Sequence, residues 1–262
     1  MRKAKITAAI IAKNEEKNIE PCIESVRGWV DEIIVVDGYS DDNTASIAEK
    51  LGARVIKHKF EGDFSQERNI AIENATSDWI LHMDADERAT NEFKEKAGQI
   101  LDNARDIDVF KFKRENFFLG HHMRHGGWCH YIPNLARRNV KFEGALHERP
   151  VYSGKVEVIE AGIEHYPFQS IAQFVERHNR YSSVEAEELF KTHGASRLNE
   201  VKKQAIRRTF KLFWKMYVKK KGYKEGMYGL IFAILFAFTN FLIWIKYWEL
   251  CQTGEKPLNT KL

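Results

Sequence analysis

Cysteine is scarce in this chain, and what there is does not pair up. Cys22, Cys129 and Cys251 are three in 262 residues, far apart and odd in number. They argue against a disulfide framework and for a reducing compartment. Glycine-rich phosphate loops are missing as well. No G-x-G-x-x-G follows the first apolar run, and no G-x-x-x-x-G-K-[ST] occurs anywhere. Dinucleotide-binding and P-loop readings lose their main support. Zinc frames are also absent. "GHHMRHGGWCH" gathers His121, His122, His125, Cys129 and His130, but Gly126-Gly127 breaks any helix there. Neither H-E-x-x-H nor C-x-x-C is present, so a zinc site has little support there. The N-terminus "MRKAKITAAIIAKNEE" has an apolar run of only about seven residues that meets charge at once, too short for a signal peptide.

Acidic residues are missing from one long stretch. Val201 to Lys224 holds ten Lys/Arg and no Asp/Glu, which leaves the rest of a +4 chain at −6. A mildly acidic body with one strongly basic segment implies a local anionic partner.

What is present is a string of βα units. "KITAAIIA", "DEIIVVD", "ARVIKHK" and "DWILHMD" are short apolar runs that predict buried strands. Between them, "IEPCIESVRGW" places Ile19, Cys22, Ile23, Val26 and Trp29 at helical spacing. "SDDNTASIAEKLG", "SQERNIAIENA" and "TNEFKEKAGQILDNAR" read as three more helices. Strands alternating with helices over the first ~105 residues predict an α/β fold, a mostly parallel sheet with helices on both faces.

The strand ends carry the chemistry. Strand 1 runs to Asn14 and Glu15, strand 2 to Asp37, and strand 4 to Asp84. Ligands of open α/β sheets bind beyond the carboxyl ends of the strands. Asp84 and Asp86 are two apart, so in extended geometry both face one way. A Mg²⁺ or Mn²⁺ held by one or two carboxylates plus substrate phosphates suits that pair. A D-x-D alone is a weak signal; one that closes a buried strand in a βα series is stronger.

The stretches "IIAKNEEKNIEPCIESV", "EIIVVDGYSDDNT" and "FSQERNIAIENATSDWILHMDADE" together resemble a family 2 glycosyltransferase of GT-A fold (Rossmann-like). "NFFLGHHMRHGGW", "FEGALHERP" and "IEHYPFQSIAQFVERHNRYSSVEA" resemble its branch that adds glucose, β-1,4-linked, to the lipopolysaccharide inner core. The resemblance runs from about Ile6 to Glu188. It implies a UDP-sugar donor contacted by Asn14, Glu15 and Asp37, with Arg68 and Asp84 near the nucleotide or diphosphate. It implies a metal at Asp84 and Asp86, with His165 as a further candidate, and Glu148 as the base of an inverting transfer. Trp128, His147 and Arg137 would lie on the acceptor side. One departure is visible: "PNLARR" has Asn134 where Arg is expected and Ala136 where Phe is expected, which puts acceptor identity in question. Another UDP-sugar, used for capsule, O-antigen or other glycans, stays open. A sugar nucleotidyltransferase has less support, because "AKNEEKN" is acidic and glycine-free where a triphosphate loop would stand, and so has a non-catalytic membrane protein, because Asp37, Asp84, Asp86 and Glu148 are all in place.

The expected organisation is a catalytic domain over 1–190, with a nucleotide-sugar part at about 1–105 and an acceptor part at about 106–190. Basic and apolar helices follow over 191–262. Ile206, Phe210, Phe213 and Tyr217 predict one apolar face on a cationic helix. Residues 227 to 245 carry no charge, just enough to span a bilayer, and Tyr223, Trp244, Tyr247 and Trp248 would lie near its interfaces. The neighbouring apolar run makes an anionic membrane surface, met through 201–248, a better partner than nucleic acid. The expected location is the cytoplasmic face of the bacterial inner membrane, with peripheral attachment favoured over a single span.

Overall fold

The computed structural model describes residues 4–59, 63–144 and 148–254. Each apolar run of the first hundred residues forms its strand: β1 (Ile6–Ala12), β2 (Glu32–Asp37), β3 (Arg54–Lys57) and β4 (Trp79–Asp84). The helices between and after them are α1 (Ile19–Val26), α2 (Thr44–Lys50), α3 (Phe64–Asn74) and α4 (Asn91–Leu101). The four strands are parallel, in the order β3-β2-β1-β4. Alternation along β1 decides which helix covers which face. Ile6, Ala8 and Ile10 pack with Ile19, Cys22, Ile23 and Val26 of α1 and with Phe93 and Ala97 of α4. Ala9 turns the other way and packs with Ile34, Val36, Ile80 and the α3 residues Ala71 and Ile72. Each large apolar side chain so buried is worth about 1.5–3 kcal/mol.

After α4 the helix–strand alternation ends, and so does parallel pairing. β5 (Glu87–Ala89), β6 (Ile107–Phe118), β7 (His121–His122), β8 (His130–Arg137) and β11 (Lys155–Phe168) complete the sheet. β8 runs antiparallel to both β4 and β6, and β5 antiparallel to β11. β9 (Lys141–Glu143) and β10 (Arg149–Val151) form a separate antiparallel pair.

The chain divides into two compact units, residues 1–115 with 130–165, and residues 116–129 with 166–262. The second holds α5 (Ile171–His193), α6 (Val201–Phe213) and α7 (Gly226–Thr253), with a π-helical turn over Trp214–Lys219. Phe118, Phe168, Phe174 and Phe232 form one aromatic core. Trp244, Tyr247 and Leu250 of α7 form another with Ala186 of α5 and Ala205 of α6. Two expectations are corrected here. Trp244 and Tyr247 are core residues and not interface aromatics, and the Tyr247 hydroxyl donates to the Gly194 carbonyl at 2.7 Å. The four-residue apolar face of α6 also splits. Phe213 and Tyr217 pack inward, whereas Ile206 and Phe210 face solvent.

Candidate active site

Register sets the edge on which the site is built. Ala12 of β1 pairs with Asp37 of β2, and Ile11 pairs with Asp84 of β4. The two acids therefore flank the end of β1, about 10 Å apart by strand spacing. Strand order reverses at this point, where open α/β sheets bind ligands.

On the β2 side the loops are tied together by the residues expected to meet the nucleotide. Asp37 is buried, and its carboxylate accepts from the Ser40 hydroxyl and backbone N–H. Asn14 sits in the left-handed region at φ 56°, accepts from Asp41 N–H at 2.8 Å and donates its own N–H to Ser40 Oγ. The Glu15 N–H donates to Thr44 Oγ1 at 2.8 Å. Asn14, Glu15 and Asp37 thus belong to one network that joins the loops after β1 and β2.

On the β4 side is an acid–guanidinium cluster. Glu87 is fully buried, and its carboxylate accepts the Asp84 N–H at 2.9 Å, fixing the turn that carries the two aspartates. Arg114 bridges Glu87 and Asp84. Burial alone would raise the Asp84 pKa, but Arg114 and then Arg68 outweigh it and hold the carboxyl well below the usual range. Burial pushes the Glu87 carboxyl up, against the pull of Arg114 and with the help of the Asp84 charge. β5 pairs with β11 so that Glu87 faces His165, whose Nε2 lies 3.4 Å from Asp86 Oδ1. Asp84, Asp86 and His165 each offer a ligand atom within 4.8 Å of the others. Two carboxylates and an imidazole are a donor set that Mg²⁺ or Mn²⁺ accepts, with coordination left over for water or phosphate.

Arg68 joins this cluster to Glu148. It lies on α3, whose N-cap Asp63 accepts from Ser65 N–H, and only 4% of the residue is exposed. Its guanidinium reaches Asp84 Oδ1 at 3.2 Å and Glu148 Oε1 at 3.0 Å. One residue on, Asn69 donates to the Phe142 carbonyl and accepts the Phe142 N–H, both at 2.9 Å, which locks β9 to α3. Glu148 directly precedes β10, the partner of β9, so this lock also positions Glu148. Arg68 Nη1 is buried and has no hydrogen-bond partner among the described residues.

Not every expected residue is brought here. Arg137 pairs in register with Trp79, at the opposite end of β4 from Asp84. It stacks on the Trp79 ring at 4.4 Å and donates to the carbonyls of Ile107 and Ala104, so it braces the sheet and does not reach the acid cluster. Trp128 packs in the aromatic core of the second unit, 4.4 Å from the Phe232 ring. His147 lies outside the described residues. The two departures in "PNLARR" fall in strand packing: Asn134 is buried, and Ala136 packs with Val109 and Val140.

Arg114 was missed. Its signal was the period of β6: Phe110 and Phe112 face the core, and Arg114 continues that face as a lone charge. Replacing it removes the cation from a fully buried Glu87. Arg114→Met is expected to lower stability by about 3 kcal/mol, with Glu87→Gln in the same chain recovering part of it. Urea unfolding checks this; an unchanged midpoint would refute the pairing. Glu67, beside Arg68 on α3, is pushed by burial up to about 7, against Arg68 and Lys13. Its folded-state value is raised, so the native state holds the proton longer and loses stability as pH climbs from about 4.5 through 7. Glu67→Gln lacks that loss. Relative to the parent, it is expected to be about 1–2 kcal/mol more stable at pH 8 than at pH 5, allowing for solvent screening. A gap that does not change with pH would contradict this.

With this geometry in hand, comparison with known proteins decides the family. The model described as Glycosyl transferase family 2 matches residues 7–161. The chain belongs to that family. A Rickettsia felis protein named as an uncharacterized glycosyltransferase is 30% identical to this glycosyltransferase, over 98% of this chain and 92% of its own. The SPbeta prophage-derived glycosyltransferase SunS of Bacillus subtilis is 32% identical, over 69% of this chain and 40% of its own. Among solved structures, glucosyl-3-phosphoglycerate synthase from Mycobacterium tuberculosis, in complex with Mn²⁺ and UDP-glucose, is similar at a TM-score of 0.38. It shares 24% identity over 43% of this chain and 44% of that one.

Proposed function

We propose that this glycosyltransferase moves a hexose, glucose from UDP-glucose, onto the lipopolysaccharide inner core or a similar glycolipid, with inversion at the anomeric carbon. The observation that carries the reading is Arg68, a buried guanidinium between Asp84 and Glu148 whose Nη1 finds no partner among the described residues. A phosphate oxygen of the donor is the acceptor that such a nitrogen suits. Asp84 and Asp86, with His165, would hold Mg²⁺ or Mn²⁺, which when bound neutralises the charge that grows on the leaving diphosphate, so no general acid is needed.

The rest falls to side chains of this chain. Glu148 takes the proton from the acceptor hydroxyl as that oxygen bonds to the anomeric carbon. The bond from that carbon to the diphosphate breaks on the opposite face, which inverts the centre. Arg68 orients Glu148 through the hydrogen bond from its Nε, 3.0 Å long. Glu87 and Arg114 hold Asp84 in place from behind. Asn14, Glu15 and Asp37 shape the loops against which the uridine would rest. A glycolipid acceptor also gives a purpose to the basic and apolar segment 201–248, which would hold the enzyme on an anionic membrane surface, at the cytoplasmic face of the inner membrane.

The test is a panel of UDP-, GDP- and CMP-sugars with Mn²⁺ or Mg²⁺, then with EDTA, against a lipopolysaccharide core extract. UDP release that requires both metal and acceptor is the expected result, with UDP-glucose the preferred donor. Turnover that survives EDTA would remove the metal. Preference for another UDP-sugar would replace glucose and leave the chemistry intact.

A further inference from the structure

By length and composition, α7 could cross a bilayer. Its packing argues otherwise. Phe232, Ala233, Ala237, Trp244, Tyr247 and Leu250 are buried along one side. On that side α5 follows it closely: Phe174 meets Phe232 and Phe236, Lys246 donates to Ser182 and Ser183, and Ala186 packs with Trp244 and Tyr247. α5 carries Glu176, Arg180, Glu185, Glu187 and Glu188. A bilayer crossed by α7 would have to take those charges into hydrocarbon, where charged side chains are strongly disfavoured.

The outward side of α7 is a stripe. Met227, Ile234, Phe238, Ile245 and Trp248 are all exposed, Met227 at 66%. At 3.6 residues per turn they fall within an arc of about 80°, along about 32 Å of helix. On α6, Ile206 and Phe210 are exposed, Phe210 at 65%, and so is Trp214 one turn further. Lys202, Lys203, Arg207, Arg208 and Lys211 surround them, with no acidic residue from Val201 to Lys224.

We propose that the second unit is a one-sided membrane anchor. It binds an anionic lipid bilayer through Ile206 and Phe210 of α6, Trp214 of the π-helical turn and the outward stripe of α7, and α7 lies in the membrane plane. The pattern fits lipid on two counts. Cationic side chains beside apolar ones match a surface with anionic headgroups over hydrocarbon. A nucleic acid would use the lysines and arginines but offers nothing to Ile234 and Phe238. The proposal deepens the glycolipid reading, because it names the surface at which enzyme and acceptor would meet.

Flotation with phosphatidylcholine vesicles, with and without phosphatidylglycerol, tests it on the full chain. Binding is expected to be about tenfold or more tighter to the anionic vesicles, and to weaken with salt. Phe210→Ser with Trp214→Ser, and Ile234→Ser with Phe238→Ser, should each weaken it at least about tenfold, with circular dichroism unchanged because all four side chains are exposed. For orientation, Thr253→Cys in an expressing bacterium should react with an impermeant maleimide from the cytoplasmic side only. Equal binding to neutral vesicles, preference for RNA over vesicles, or labelling of that variant from outside the cell would each overturn the proposal. Vesicle binding is read without donor or acceptor. A protein that binds vesicles and transfers nothing refutes the transfer reading alone; transfer to detergent-dispersed acceptor without vesicle binding refutes this one alone.

Discussion

Asp84→Asn is expected to lower kcat/KM for sugar transfer by about 10³-fold or more, about 4 kcal/mol of transition-state stabilisation. Asn keeps the size and one oxygen of the side chain but carries no charge for a cation. The fold should tolerate the change, because each guanidinium that Asp84 holds keeps a second carboxylate: Arg68 retains Glu148, and Arg114 retains Glu87. Loss of activity with the fold retained by circular dichroism is therefore the expected pair of results. Titration of Mn²⁺ in the presence of UDP should show weaker binding in the variant, which ties the loss to the metal. Asp86→Asn should behave alike, since Asp86 offers a ligand atom to the same group. Parent-like turnover by both variants would sink the metal assignment.

Glu148→Gln is expected to reduce kcat by about 10²–10⁴-fold while UDP-sugar still binds. The Gln carbonyl can still accept from Arg68, so the guanidinium keeps its place and the donor site stays intact. What disappears is the capacity to take a proton from the acceptor hydroxyl. Donor affinity, measured by calorimetry without acceptor, should change little, and the full loss should fall on turnover. If turnover is unchanged, Glu148 is not the base. If donor affinity collapses with it, Glu148 serves Arg68 and the nucleotide instead.

Much of the first unit could be read before any coordinates. Four apolar runs and four helix-spaced segments each became the expected element, because burial periodicity and capping are local signals. The acidic strand ends were legible for the same reason: an Asp that closes a buried strand is unusual wherever the chain goes next. Glu87 stood in plain view within "HMDADE", but its part as the carboxylate that fixes Asp84 was not readable. That part depends on Arg114, 27 residues away and on another strand. Arg68 and Glu148, 80 residues apart, likewise meet only because Asn69 locks α3 to β9. Arg137 shows the opposite failure. The family resemblance implied an acceptor contact for it, and strand register carried it to the far end of β4.

The C-terminal helices show most clearly what each level decides. The sequence by itself determined that the segment is cationic, that one helix within it is apolar enough for lipid, and that aromatics are dense along both. Those are properties of composition and period, and no packing can alter them. Only the tertiary structure decided which apolar side chains are spent inside the protein. Trp244 and Tyr247 go into the core, while Phe210, Phe238 and Trp248 stay outside. It also decided that α7 lies against a helix whose charges it cannot leave behind. A helix considered alone has one environment all round. A packed one has two, and the neighbour it packs on determines which solvent its other face can meet.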